Sequence, residues 1–110
     1  MNYRHETLAA GRWAEFSLME QLANIGSEVE RTLNWRRKNN GELSRKALER
    51  ALELLDLTIA DPRHRRRLRE LTRTREAMLD YFLGDNLFQS SERAWQKYFL
   101  AFGLAARRNK

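Results

Sequence analysis

Seven arginines fall within thirteen residues, Arg63, Arg65, Arg66, Arg67, Arg69, Arg73 and Arg75, and Glu70 is the only acid among them. The planar guanidinium offers a rigid fork of N–H donors that matches phosphate and carboxylate oxygens better than a lysine point charge does. The whole chain is +6 at neutral pH, the same as this segment alone, and the rest carries fourteen basic and fourteen acidic residues. The basic character is therefore local. It also opposes local stability. Asp61-Pro62 marks a helix start at this point, where acids are favoured by about 0.3 to 1 kcal/mol each and cations are disfavoured. A polyanion ligand is the chemistry such a segment offers, and a grip on phosphates gives salt-sensitive, weakly sequence-selective binding. The plainer alternative is a solvated helix face partly paired with Glu49, Glu53 and Asp56 of a neighbouring helix.

Further basic residues accompany this segment. Arg107, Arg108 and Lys110 close the chain, and Arg36, Arg37 and Lys38 precede an Asn39-Asn40-Gly41 turn beside Arg45 and Lys46. The candidate nucleic-acid-binding residues are thus Arg63, Arg65, Arg66, Arg67, Arg69, Arg73, Arg107, Arg108, Lys110, Arg36, Arg37 and Lys38. Arg75 stands apart, because its spacing from Leu71, Met78 and Phe82 sets it on or beside an apolar stripe. There it either pairs with Asp56 or Glu53 or reaches to solvent along its aliphatic stem. Phe88, Trp13 and Trp35 are candidates for partner contact, while Trp95, Tyr98, Phe99 and Phe102 at helical spacing read as core.

Catalytic chemistry finds little to use. The absence of cysteine excludes thiol nucleophiles, disulfides and thiolate metal sites. His5 and His64 are the two imidazoles, each beside arginines and neither with an acceptor in sequence to orient its ring. No HExxH, Glu-x-x-His, phosphate-binding loop or GxSxG occurs. No zinc-finger spacing or sheet-based RNA-reading motif is present either. The expectation is a non-enzyme with no catalytic residues, metal or cofactor.

The elements that must position the arginines follow from periodicity. Five glycines and one proline are too few to punctuate an all-β chain. Residues 1 to 16, with Tyr3, Leu8, Trp13 and Phe16, read as a short N-terminal arm. Ser17 and Glu20 form a capping box, and Leu18, Leu22, Ile25, Val29 and Leu33 then recur every three or four residues, with Glu20, Gln21, Asn24, Ser27 and Glu28 opposite. A second helix, capped by Ser44 or taking Glu42 and Leu43 into its first turn, carries Ala47, Leu48, Ala51, Leu52, Leu55 and Ile59 inward. Leu54 and Leu57 widen that surface enough to serve a subunit interface. The third runs from Pro62 to about Leu83, with Leu68, Leu71, Met78, Leu79 and Phe82 inward and Gly84 as a left-handed cap. Ser90 or Ser91 opens the fourth. Four helices joined by short loops predict one all-α domain over residues 17–108, an antiparallel up-down-up-down four-helix bundle. With no apolar run long enough to span a membrane, no leader-like start and no cysteine, a cytoplasmic location is expected.

A basic, cysteine-free chain with a proline-started, arginine-rich third helix and a fourth helix running Trp95-Gln96-Lys97-Tyr98-Phe99 to Ala105-Ala106-Arg107-Arg108 resembles a known group. It is similar, over about residues 17 to 108, to the bundles encoded in 23S rRNA intervening sequences and to the accessory variability determinants of diversity-generating retroelements. That resemblance implies a homo-oligomer, commonly a pentamer, whose basic surface binds RNA or DNA and, in retroelements, a reverse transcriptase. The function expected is a non-enzymatic nucleic-acid-binding accessory protein. The alternative is a structural bundle whose arginine patch binds an acidic protein partner.

Overall fold

The computed structural model describes residues 11–108, most of which are helical, with no strand among them. The long elements are α1 (Leu18–Arg37), α2 (Gly41–Ala60), α3 (Leu68–Leu83) and α4 (Glu92–Arg108), with a 3-10 turn at Pro62–Arg67 before α3. Tyr3, His5, Leu8 and Lys110 lie outside the described residues.

Three of the four long helices start where a side chain satisfies a free backbone N–H; α3 has no such side-chain cap. Ser17 Oγ accepts from Glu20 N while Ser17 N donates to Glu20 Oε1, the reciprocal box that opens α1. Asn40, not Ser44, caps α2 by accepting from Leu43 N. Asn39 ahead of it turns the chain in the left-handed region at φ 59°, which asparagine tolerates. Ser44 Oγ instead donates to the Thr32 carbonyl of α1 and pins the two helices together. Ser91 Oγ accepts from Ala94 N at the start of α4.

The helices meet on one core, in which Leu22, Ile25, Val29 and Leu33 of α1 pack with Leu48, Ala51 and Leu55 of α2. Leu71 and Met78 of α3 and Trp95 and Phe99 of α4 complete it. Burying each such side chain contributes about 1.5 to 3 kcal/mol. Contacts fix the pairwise directions. Arg37 meets Glu92, Glu30 accepts from Gln96, and Gly26 faces Phe99, so α4 runs back along α1. Thr32 with Ser44 and Glu28 with Arg50 do the same for α1 and α2. Leu54 and Leu57 are half-buried against this core.

Further expectations are corrected. The third helix is not continuous: Pro62–Arg67 is a 3-10 turn, and the backbone leaves helical geometry at His64 (φ −104°, ψ 19°). Asp61 takes the Arg63 N–H there, and the His64 ring is drawn into the core, which leaves Leu68 outward and 40% exposed. Gly84 has φ −109° and is not left-handed; the reversal comes later, at Asn86 and Gln89, both at φ 55°. Trp13 is no partner contact, since it is buried and its indole donates to Thr58 Oγ1 at 2.9 Å. Gln21 and Glu28, expected on the polar face of α1, are buried.

The approach of α4 to α1 depends on Gly26, where a Cβ would lie 2.6 Å from Phe99 Cβ. Replacing Gly26 with Ala gains up to about 1 kcal/mol of helix propensity, but the overlap requires a backbone shift worth about 1 to 3 kcal/mol. Gly26→Ala is therefore expected to lower stability in urea unfolding followed by circular dichroism; an equal or higher midpoint would show that the helices separate freely.

Candidate nucleic-acid interface

The 3-10 turn sorts the arginines. The kink at His64 turns its ring inward. His64 is buried and Arg67 half-buried, while Arg63, Arg65 and Arg66 are exposed. From Leu68 the chain is α-helical, and Arg69 and Arg73 follow Arg65 at four-residue spacing on the outer side, both exposed.

Three of the seven arginines are used by the fold. Arg63 clasps the Asp61 carboxylate through Nε and NH2, the shortest contact being 2.6 Å, and NH2 also donates to the Phe16 carbonyl at 3.0 Å. Arg67 pairs with Glu70 at 2.7 Å. Arg75 Nε donates to Asp56 Oδ1 at 2.6 Å, so of the alternatives left open by the sequence it takes Asp56 and not Glu53. Both members of that pair are part-exposed, so it contributes about 1 kcal/mol or less. Arg65, Arg66, Arg69 and Arg73 have no carboxylate partner among the described residues. These four form an uncompensated positive face.

A buried polar knot holds this face in place. The Gln21 amide is fully buried and its Nε2 donates to the Trp13 carbonyl at 2.8 Å and toward the Phe16 carbonyl at 3.4 Å. Its Oε1 must then be the acceptor facing His64 Nε2 at 3.0 Å, which puts the imidazole proton on Nε2. An acceptor therefore does orient this ring, contrary to the expectation. Burial pushes the His64 pKa below its ordinary value, with the nearby Asp61 carboxylate opposing the shift and Arg63 and Arg67 adding to it. The Asp61 carboxyl is held down to about 2, chiefly by its hydrogen bond from Arg63.

The other candidates are placed as follows. Arg107 and Arg108 are exposed in the last turn of α4. The Tyr98 hydroxyl meets Thr74 Oγ1 at 3.1 Å and Glu70 Oε1 at 3.3 Å. Beyond that point α4 runs toward Arg108 as α3 runs back toward Arg67, which sends both basic runs toward one end. At the other end Arg36 lies over Tyr81 and Phe82, Lys38 lies over Trp35, and Arg37 is engaged by Glu30, Glu92 and Asn34. These cations are partly spent on the fold.

A loop from Gly84 to Ser90 is readable from the sequence, but the bonds that hold it are not. Asp80 accepts from Leu87 N at 2.7 Å and Phe88 N at 2.9 Å. Asn86 and Ser90 exchange two further bonds. Phe88 is thereby held half-exposed with the Arg73 guanidinium 6.0 Å from its ring centroid, a cation–π distance. An acid followed by asparagine six residues on, ahead of an exposed aromatic, is the only trace of this in the sequence. Among the described residues no group of three metal-ligating side chains is placed to hold a metal ion, and no helix is long and apolar enough to cross a membrane.

No family model, curated protein or solved structure matches this chain. The arrangement of its own side chains thus carries the functional reading.

The His64 position gives a pH test. Protonation is harder in the folded than in the unfolded chain, so the stability His64 contributes is complete above the unfolded pKa of about 6.5 and falls as pH drops through it, levelling off below the folded value. The Asp61 contribution is lost at much lower pH, between its ordinary value of 3.8 and about 2. Urea midpoints should therefore fall between pH 7.5 and 5, roughly the range in which an ordinary imidazole charges, and His64→Gln should flatten that dependence. A native chain with pH-independent midpoints over this range would show that the imidazole is not buried neutral.

Proposed function

We propose that this chain is an antiparallel up-down-up-down four-helix bundle that acts without catalysis, by binding the phosphate backbone of RNA or DNA. The observation that carries this reading is the set of four exposed arginines, Arg65, Arg66, Arg69 and Arg73, without acid partners on one face of the 3-10 turn and α3. Local energetics disfavour that set twice. Cations near a helix start oppose its dipole, and like charges four residues apart repel by roughly 0.2 to 0.5 kcal/mol per pair. A phosphate ligand reverses both terms. Arg107 and Arg108 extend the face at the end of α4.

The resemblance to the intervening-sequence proteins and accessory variability determinants belongs to this proposal. It adds a cytoplasmic homo-oligomer, a pentamer in that group, with a reverse transcriptase as candidate partner. Leu100 and Leu104, exposed one turn apart on α4, offer apolar surface for assembly.

Fluorescence anisotropy with labelled RNA and DNA duplexes across a salt series tests the reading. Four phosphate contacts predict a slope of log affinity on log salt of about −3 to −4. Arg65→Glu/Arg66→Glu/Arg69→Glu, checked for folding, should abolish binding, whereas Arg75→Gln should leave it unchanged. If native and triple variant bind alike, the face is not the phosphate site; binding of an acidic protein in place of nucleic acid would favour the interaction-bundle alternative.

A further inference from the structure

Beside the arginine face, α3 and α4 leave a cleft of about 290 Å³ lined by Glu70, Arg73, Thr74, Ala94, Trp95 and Tyr98, among others. We propose that this cleft takes one unpaired nucleobase, so that the ligand of the arginine face is single-stranded nucleic acid; the proposal rests on the phosphate-binding reading above. Three observations carry it.

The first is position. Arg73 belongs both to the positive face and to the cleft wall, and its guanidinium lies against Phe88. On this proposal a strand held by the arginine face passes Arg73, which places its next base between Phe88, beside the cleft, and the cleft itself. Bases in a duplex are stacked and paired and have no free face or edge to offer, whereas unpaired bases stack on aromatic side chains and donate and accept at their exposed edges.

The second is that the stacking surface is built. Phe88 is 49% exposed, yet its backbone is gripped by Asp80 and by the paired bonds between Asn86 and Ser90. The loop also takes up two left-handed residues that are not glycine, Asn86 and Gln89. Such strain is kept where surrounding structure over-determines it. Here the result is an aromatic ring presented to solvent by a rigid loop, with little ordering cost left for a ligand to meet.

The third is the polar equipment of the walls. They carry the Glu70 carboxylate and the Thr74 and Tyr98 hydroxyls, joined in a short chain of contacts. Burial raises the Tyr98 pKa, so its hydroxyl keeps its proton at neutral pH. The cleft therefore offers both donors and acceptors, which suits a base edge and not a simple anion.

The test compares binding of a short labelled single strand, its duplex, and the same strand with abasic positions, in RNA and DNA forms, to the native chain, Phe88→Ala, Ala94→Leu and the triple glutamate variant. Ala94 is exposed, so leucine there narrows the cleft without disturbing the core. The single strand should bind tighter than duplex or abasic strand. Phe88→Ala should weaken it by roughly five- to a hundredfold, the range for loss of one stacked base, with duplex affinity and salt slope unchanged, and Ala94→Leu should act in the same direction. The RNA and DNA forms report whether the sugar is read as well. Equal affinity for single strand, duplex and abasic strand, with no effect of Phe88→Ala, would overturn the base site while loss of binding in the triple variant leaves the phosphate site standing. No binding by the native chain at low salt would overturn both.

Discussion

The Gln21 side chain is the buried polar group on which the position of the arginine face depends. It has no exposed surface, so its carbonyl and amide must find partners within the protein or cost the desolvation of each unmet group, about 1 to 3 kcal/mol. The partners come from three places in the chain. Trp13 and Phe16 lie before α1, and His64 lies in the 3-10 turn. A leucine in that place would fill the volume but would not fix which way the turn faces. The neighbouring bonds build on it: Arg63 reaches back to the Phe16 carbonyl, and Trp13 ties the same segment to Thr58 near the end of α2. The knot has polar bonds in the interior where apolar packing alone would permit rotation. It selects one orientation of Pro62–Arg67, with His64 inward and Arg65 and Arg66 outward.

Much of the helical architecture was legible in the sequence because its signals are short-range. The Ser17–Glu20 box, the three- and four-residue recurrence of Leu22, Ile25, Val29 and Leu33, and the Asp61-Pro62 start each act within one or two turns. What escaped was long-range. Gln21 sits in the sequence among Glu20, Asn24 and Ser27 and reads as solvent-facing, and the partner of its Oε1, His64, arrives only forty-three residues later. The same holds for Asp80, whose role depends on where the backbone of residues 87 and 88 returns. The break between 3-10 turn and α3 was hidden by composition, since arginine fits either helix and only the inward ring of His64 and the capping carboxylate of Asp61 decide.

The arginine segment was found at once as a charge anomaly, yet its division of labour was not. Arg63, Arg67 and Arg75 look identical to their neighbours in sequence but have Asp61, Glu70 and Asp56 within ion-pair distance. Charge counting alone therefore overstates the free positive face, four residues and not seven. Phe88 was legible as an exposed aromatic in a loop, but the rigidity that makes it useful came from Asp80 and Asn86.

The turn at Pro62–Arg67 does nothing to relieve the crowding of its cations. A 3-10 turn rises about 2.0 Å per residue against about 1.5 Å in an α-helix, but its side chains three apart eclipse, whereas in an α-helix they are offset by about 60° around the axis. Repulsion between like charges falls with distance and with solvent screening, so it is the exposure of Arg63, Arg65, Arg66 and Arg69 to water that makes their closeness tolerable. Regular α-helix would begin more cheaply at Asp61 in hydrogen-bonding terms, since its bonds are better aligned. The turn is favoured here by what α-helix would lose, the inward placement of His64 against Gln21 and of Arg67 against Glu70. The bond that anchors the turn thus also decides which arginines face outward, so a change that restores ideal helix across Pro62–Arg67 would disturb both together.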